Sequence, residues 1–283
     1  MKIITRAFTI GFSFVLPLFY AVAAQADGVA FLTNLKGEVA LDGGARPQLM
    51  SELSKGQKVT VGKDATASVM FIQSGKEFVL KGPGEYVVNA ADLSAAKGAK
   101  PGERQTEWRT SQQALVKVAQ SSAASVRMRS IAPQKTDEPS KLVFPAPGAI
   151  ATLQPTFRWA AAQPGQEIVV STAAERDKPV HKGKVTGDSF RLSHKLKPDT
   201  EYTWSIVGTA GEYASGTFKT LGAEAIAQTE KRKPSDKAEF SDRLLYAVML
   251  NDLGAAQEAQ VAWAKLAAER TDLPELAALA KTR

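Results

Sequence analysis

Two histidines, His181 and His194, are the only imidazoles in this chain, and each stands in a polar, lysine-bearing stretch. A histidine-based triad needs a serine on a strand-to-helix elbow, and no Gly-x-Ser-x-Gly occurs. Two histidines without cysteines or a close acidic cluster do not make a zinc site. Carboxylate pairs of the glycosidase kind are set by the fold, and no spacing here points to one. Gly82 and Gly84 are followed by neither a third glycine nor a helix pattern, so they read as a turn rather than a dinucleotide loop. What remains is charge. The chain carries +7, and residues 93–141 alone sum to +5, against −1 for 27–92, +2 for 142–222 and −1 for 223–283. In that stretch Lys97, Lys100, Arg104, Arg109, Lys117, Arg127 and Arg129 face few carboxylates. Six of them, Lys97, Lys100, Arg104, Arg109, Arg127 and Arg129, are the candidate contacts for an anionic partner drawn in by long-range attraction. The alternative is a solvated connector. The sequence thus predicts a non-enzyme, with no catalytic, cofactor-binding or metal-ligating residues.

The elements that would position these charges begin behind an export signal. Lys2 and Arg6 form a basic start, Ala7 to Val22 is an apolar run interrupted by Pro17, and Ala24-Gln25-Ala26 supplies the small residues a signal peptidase needs. Cleavage is expected before Asp27. An uncleaved anchor is the alternative, but the run is near the lower limit of roughly 17 residues for a spanning helix. No cysteine occurs anywhere, which excludes disulfides, thiolate metal sites and a lipid-anchored cysteine. The 257 residues left after removal of 1–26 suggest two or three units at about 100–200 residues per domain. Shifts in composition favour three.

From Val29 the chain reads as short strands. Val39 and Leu41, Val59 and Val61, Val69 and Phe71, then Phe78 and Leu80 follow the period of two of half-buried strands. Asp42-Gly43-Gly44 and Ser74-Gly75 are turns, and Gly82-Pro83-Gly84 is expected to close the last strand. Gly37-Glu38-Val39, Leu53 with Gly56, Val61-Gly62-Lys63-Asp64, Ala67 to Phe71 and Ser74-Gly75 resemble the periplasmic domain of the FecR family over about sixty residues. The resemblance implies a FecR-like β domain at 27–92, with Gly56, Gly62 and Gly75 in structural roles. Some members of that family relay envelope signals to sigma-factor regulation through a cytoplasmic segment and a membrane span. A cleavable signal stands in place of both here.

Residues 93–141 are expected to form a basic connector, with a helix from Glu103 to Gln120 that Trp108 docks on the first domain unless that ring stacks on a ligand, an extended piece from Ser121 to Met128, and a linker from Ile131 to Ser140. Residues 142–222 read as a β-sandwich with strands at Thr156 to Trp159, Ile168 to Val170 and Ser189 to Leu192. Leu196-Lys197-Pro198 ahead of Tyr202-Thr203-Trp204 resembles the fibronectin type III pattern. That resemblance implies that the Tyr202 hydroxyl bonds back to the backbone, that Trp159 is a core tryptophan, and that Thr217 to Thr220 is the final strand. Trp159, Trp204, Tyr202 and Tyr213 could instead stack on sugars, but a sandwich of this size needs its aromatics inside.

After a linker at 223–237 the period becomes helical. Phe240, Leu244, Leu245, Val248, Met249 and Leu253 recur at three- and four-residue steps, and Ala259, Ala262, Trp263, Leu266 and Ala267 repeat this beyond Gly254. Ser235 or Asp236 is expected to cap the first helix and Gly254 to turn the chain. Ala247, Leu250, Gly254, Ala259 and Trp263 have the spacing of one tetratricopeptide-like helix pair at 238–283. One pair is too few to stand alone, so the hairpin packs on the sandwich, on a last helix at Leu273 to Ala280, or on another protein.

The predicted class is therefore mainly β: a FecR-like domain, an immunoglobulin-like (fibronectin type III) sandwich and a C-terminal helical hairpin. The predicted role is a periplasmic, non-catalytic adaptor or binding protein of the bacterial cell envelope. Its expected partner is an envelope protein, peptidoglycan or another anionic wall component, with no cofactor, no nucleic acid and no membrane span after cleavage. An accessory sensor for a membrane-bound signalling protein is the alternative, and a cell-wall hydrolase the weaker one.

Overall fold

The computed structural model describes residues 28–71, 73–106, 108 and 141–281. The chain is mainly β with a helical C-terminal region. Its first nine strands are β1 (Gly28–Lys36), β2 (Val39–Leu41), β3 (Glu52–Ser54), β4 (Lys58–Val61), β5 (Thr66–Phe71), β6 (Lys76–Lys81), β7 (Gly84–Val88), β8 (Leu93–Lys97) and β9 (Gly102–Gln105). They form two antiparallel sheets, ordered β3-β1-β5-β6-β9 and β2-β4-β7-β8. The apolar alternation seen in the sequence builds β2, β4, β5 and β6 where it was expected. Gly82-Pro83-Gly84 does not close the last strand: it passes the chain from β6 in one sheet to β7 in the other. Glycine is required at Gly82, since a Cβ there would lie 1.7 Å from the Gly62 carbonyl oxygen.

The expected helix from Glu103 is likewise corrected, because Gly102–Gln105 is a strand paired with β6. Leu93–Lys97 pairs with β7, so both segments of the supposed connector belong to the first β body rather than following it. Each is an edge strand with a largely exposed face. Such a strand needs no apolar alternation, and so it left no periodic signal. The expectations for residues 109–140 lie outside the described residues.

The central strand β5 is buried on both faces from Ala67 to Phe71. Register explains why. Met70 pairs with Glu77, and Glu77 with Arg104, so these side chains share one face. Arg104 bonds Asp242 of the C-terminal helices, which puts that face against them. Val69, Phe71, Phe78 and Leu80 point the other way, with the Phe71 and Phe78 rings edge to face at 5.5 Å.

The second body contains β10 (Leu142–Phe144), β11 (Ala149–Ile150), β12 (Thr156–Trp159), β13 (Glu167–Thr172), β14 (His181–Lys184), β15 (Ser189–Arg191), β16 (Glu201–Gly208) and β17 (Gly211–Thr220). Sheets β10-β12-β15 and β11-β17-β16-β13-β14 enclose one apolar cluster. All pairings are antiparallel except β11 with β17. Trp159, Tyr202 and Trp204 are all at most 2% exposed, so these rings are core and offer no sugar platform. The Phe157 ring lies 4.9 Å from Trp204 and 5.9 Å from Phe218. The Lys197 N–H donates to the Tyr202 hydroxyl at 2.8 Å, fixing the turn that leads into β16.

Four helices follow: α1 (Ala223–Arg232), α2 (Phe240–Asp252), α3 (Ala256–Glu269) and α4 (Pro274–Leu279). α1 lies where a linker was expected, with Ile226 and Thr229 as its buried side chains. Neither Ser235 nor Asp236 caps α2, whose N-cap position is Glu239 without a side-chain cap bond. Asp236 pairs with Lys265 instead. Gly254, at φ +80°, turns α2 into α3 as expected. The hairpin joins the first β body in one continuous apolar cluster that includes Leu244, Val248, Trp263, Leu276 and the strand residues. Arg270 donates to Asn34 Oδ1 at 2.6 Å and to the Leu35 carbonyl, and the Leu49 N–H donates to Glu275 at 3.1 Å. The main seat of the hairpin is thus the first β body, not the sandwich.

Candidate functional site

Of the cations expected to meet an anionic partner, Arg104 is engaged inside the molecule. Its guanidinium reaches Glu77, Ser241 and Asp242, while Glu77 also accepts from the Thr33 hydroxyl at 2.9 Å. Burial alone would draw the guanidinium pKa down, but Asp242 and Glu77 outweigh it and hold the group above its ordinary value. Arg104 therefore locks β6 and β9 to α2. Lys97 pairs with Glu85 at 2.9 Å on the surface, Lys100 is exposed, and Arg109, Lys117, Arg127 and Arg129 lie outside the described residues.

The structural assignments fare differently. Gly56 and Gly75 have φ of +87° and +67°, values that favour glycine. A Cβ at Gly62 would press on Glu38 at 3.1 Å. Trp159 Nε1 donates to Gln166 Oε1 at 3.2 Å. Trp263 is 1% exposed between the helices and the first β body, and its Nε1 has no hydrogen-bond partner among the described residues. His181 is half-buried although its stretch is polar and lysine-bearing: it is stacked on Phe190 at 4.7 Å and lies 6.1 Å from His194. Burial, with His194 adding to it, lowers its pKa.

The structure assembles a site that sequence reasoning missed, a cleft of about 610 Å³ between the sandwich and the hairpin. That volume lies within the range of about 300–1,000 Å³ typical of ligand pockets. One wall is the outer face of the β10-β12-β15 sheet. Strand alternation turns Phe157 and Trp159 into the core and leaves Thr156 and Arg158 outward. Arg191 pairs directly with Thr156 across the strands, and Phe144 pairs with Arg158, whose guanidinium lies 6.0 Å from the Phe144 ring. The opposite wall is helical. Tyr246 and Leu250 on α2, with Glu258, Val261, Ala262 and Lys265 on α3, recur at the three- and four-residue steps that share a helix face. Val261 is half exposed there.

Charge on the cleft is unbalanced. Lys265 is matched by Asp236 at 3.2 Å, and Arg243 forks onto Glu269 at 2.5 and 2.9 Å. Arg158, Arg191 and Lys233 have no acidic partner among the described residues. A neighbouring cavity of about 300 Å³ is also basic, but there Arg104 is held by its carboxylates and Arg232 sits over the Trp108 ring at 5.8 Å.

The cleft's acid is Glu258. Its Oε1 accepts the Ala151 N–H at 2.8 Å, while its Oε2 is buried without a hydrogen-bond partner among the described residues. Burial pushes the carboxyl up from 4.5 to about 7, against the pull of backbone N–H groups at Ala151, Glu258 and Thr152. Tyr246 is pushed up as well, by burial and then by Glu258. Since the free oxygen is closed off from the cleft space, Glu258 serves the joint between α3 and the sandwich. Gln257 makes the adjoining bond, accepting the Ala146 N–H at 2.8 Å. Among the described residues, no group of three or more potential metal ligands is assembled, and no helix is long and apolar enough to cross a membrane. Compared with protein-family models and with curated proteins, the chain matches none.

Proposed function

We propose that this chain is a non-catalytic, exported binding protein of the bacterial cell envelope whose basic cleft receives an anionic partner. The observation that carries the reading is the set of three cations without acidic partners, Arg158, Arg191 and Lys233, facing across a ligand-sized space a helical wall in which Tyr246, Val261 and Ala262 are the apolar groups. Fixed charges of one sign in a cleft with low-dielectric walls concentrate and orient anions. The basic and apolar N-terminal run, ending in Ala24-Gln25-Ala26, supports export to the periplasm. The FecR-like reading of the first β body and the fibronectin type III-like reading of the sandwich belong to the same proposal. They are supported by the turn glycines and by the Lys197 to Tyr202 bond.

The test is crosslinking of the exported protein in its native envelope, with Arg158→Gln/Arg191→Gln as the control. Removing 238–283 would be a poor control, because the hairpin shares its core with the first β body. Capture that weakens with salt and is lost in the double variant supports the reading. Equal capture by both proteins refutes it. If the species lost is a membrane signalling protein, the role is that of an accessory sensor; if it is wall material, that of a wall-binding module.

A further inference from the structure

The spacing of the cleft's arginines identifies the chemistry of what it holds, on the reading that the cleft is the binding site. Thr156 and Arg191 are cross-strand partners, and Arg158 is two residues beyond Thr156 on the same outward face. Arg158 and Arg191 are therefore diagonal neighbours, about 7–8 Å apart at their bases. An extended peptide repeats its side chains on one side every second residue, at about 6.6–6.8 Å. Two carboxylates at alternate positions of such a strand come within reach of two guanidinium groups anchored at that spacing, each of which can grip a carboxylate with two parallel hydrogen bonds.

The intervening residues of that strand would point the other way, toward Tyr246, Val261 and Ala262. Val261 is 50% exposed, so the helical wall offers apolar surface that nothing covers among the described residues. We infer that the cleft binds an extended peptide segment of a partner protein that is acidic on one side and apolar on the other, with Arg158 and Arg191 reading alternate carboxylates and the α2–α3 stripe receiving the residues between. Lys233 lies on the connecting segment that also lines the cleft and adds charge attraction without fixing register. The match is one of both charge and period, which neither a free small anion nor a single carboxylate would need.

The experiment is a titration of the full exported chain at pH 7.4 with three fluorescein-labelled heptapeptides. One alternates leucine and glutamate, one has the same composition with its glutamates grouped, and one alternates leucine and lysine. Binding of the alternating acidic peptide is expected, weaker by at least about tenfold for the grouped peptide and absent for the lysine peptide. Arg158→Gln/Arg191→Gln should weaken it by roughly tenfold or more, consistent with the worth of a charged hydrogen bond, and Val261→Asp, which sets a carboxylate against the peptide's apolar side, by roughly tenfold or more. All three positions are exposed, and the folded state of each variant is checked by circular dichroism. Equal binding of the grouped peptide, or unchanged binding by the double variant, overturns the inference. Should no peptide bind while envelope capture still depends on the two arginines, the peptide class is overturned and the binding-protein reading stands. Should capture lose that dependence too, both are overturned.

Discussion

Replacing Glu258 by glutamine should remove a pH dependence of stability that this side chain builds into the joint between hairpin and sandwich. The folded protein holds the carboxyl at about 7, whereas the unfolded chain holds it near 4.5. Between those values the folded state keeps a proton that the unfolded state has released. Stability from this group is therefore fully present below about pH 4.5 and is lost as pH rises through 7. At about 1.4 kcal/mol per pH unit, the whole effect is about 3 kcal/mol, of which roughly 2 kcal/mol falls between pH 5 and 8. Glutamine keeps the carbonyl that accepts the Ala151 N–H but cannot ionise. Its amide nitrogen replaces an oxygen that has no partner, a cost of about 1–3 kcal/mol that does not vary with pH. The assay is urea unfolding followed by tryptophan fluorescence at pH 5, 6, 7 and 8, on the wild-type chain and Glu258→Gln. The quantity read is the difference between the two proteins. His181, whose lowered pKa gives an opposite slope as pH rises through the histidine range, contributes equally to both and cancels. The variant should gain roughly 2 kcal/mol on the wild type between pH 5 and 8. Parallel pH profiles would refute the reasoning, because they would mean that Glu258 is ionised in the fold at no cost.

Three further predictions probe the frame. Arg104→Met strips the partner from Glu77, which is 2% exposed, and should lower stability by about 3–5 kcal/mol in urea unfolding, with most of the loss recovered on adding Glu77→Leu; a loss under about 1 kcal/mol would contradict the lock. Tyr202→Phe leaves the Lys197 N–H without its acceptor and should cost about 1–3 kcal/mol, read from the thermal midpoint by near-ultraviolet circular dichroism; an unchanged midpoint would count against the bond. Gly82→Ala puts a methyl group 1.7 Å from the Gly62 carbonyl and should abolish soluble expression, whereas Gly222→Ala, with nothing within 4 Å, should fold; soluble, native-like Gly82→Ala protein would contradict the crossing.

Local chemistry carried the legible part of this fold. Turn glycines and apolar alternation located β2, β4, β5 and β6, and the three- and four-residue steps located α2 and α3. The signal failed where burial is slight. Strands β8 and β9 are exposed edges, and α1 buries only Ile226 and Thr229. It failed more thoroughly for long-range pairing. Arg104 looked like a free cation because its partner Asp242 is 138 positions away, and the bond from Arg270 to Asn34 spans 236. The cleft was missed for the same reason, since Arg158 and Arg191 come to one face only when β12 and β15 pair. One sign was present: Arg158 alternates outward between the core residues Phe157 and Trp159, and Val261 is an apolar residue at an exposed helical position.

α3 explains why the two β bodies cannot be treated as independent modules. Its 14 residues make a rod of about 21 Å, and its ends are fixed to different partners. At the start, Gln257 and Glu258 hold backbone N–H groups of the sandwich; just past the end, Arg270 holds Asn34 and Leu35 of β1. The two attachments differ in strength. The first-body side is an apolar core reinforced by the Arg104 network, and burying each of its larger side chains is worth about 1.5–3 kcal/mol. The sandwich side shows two side-chain bonds of 2.8 Å, one of them to a carboxyl whose ionisation opposes the joint, and a smaller apolar contact through Ala151 and Leu221. One wall of the cleft therefore belongs to the side anchored on the first β body and the other to the sandwich. A segment that grips Arg158 and Arg191 while resting on Val261 would tie those walls together across the weaker joint. A ligand that needs both walls binds only when the joint between them is intact, and by mass action it then stabilises that joint.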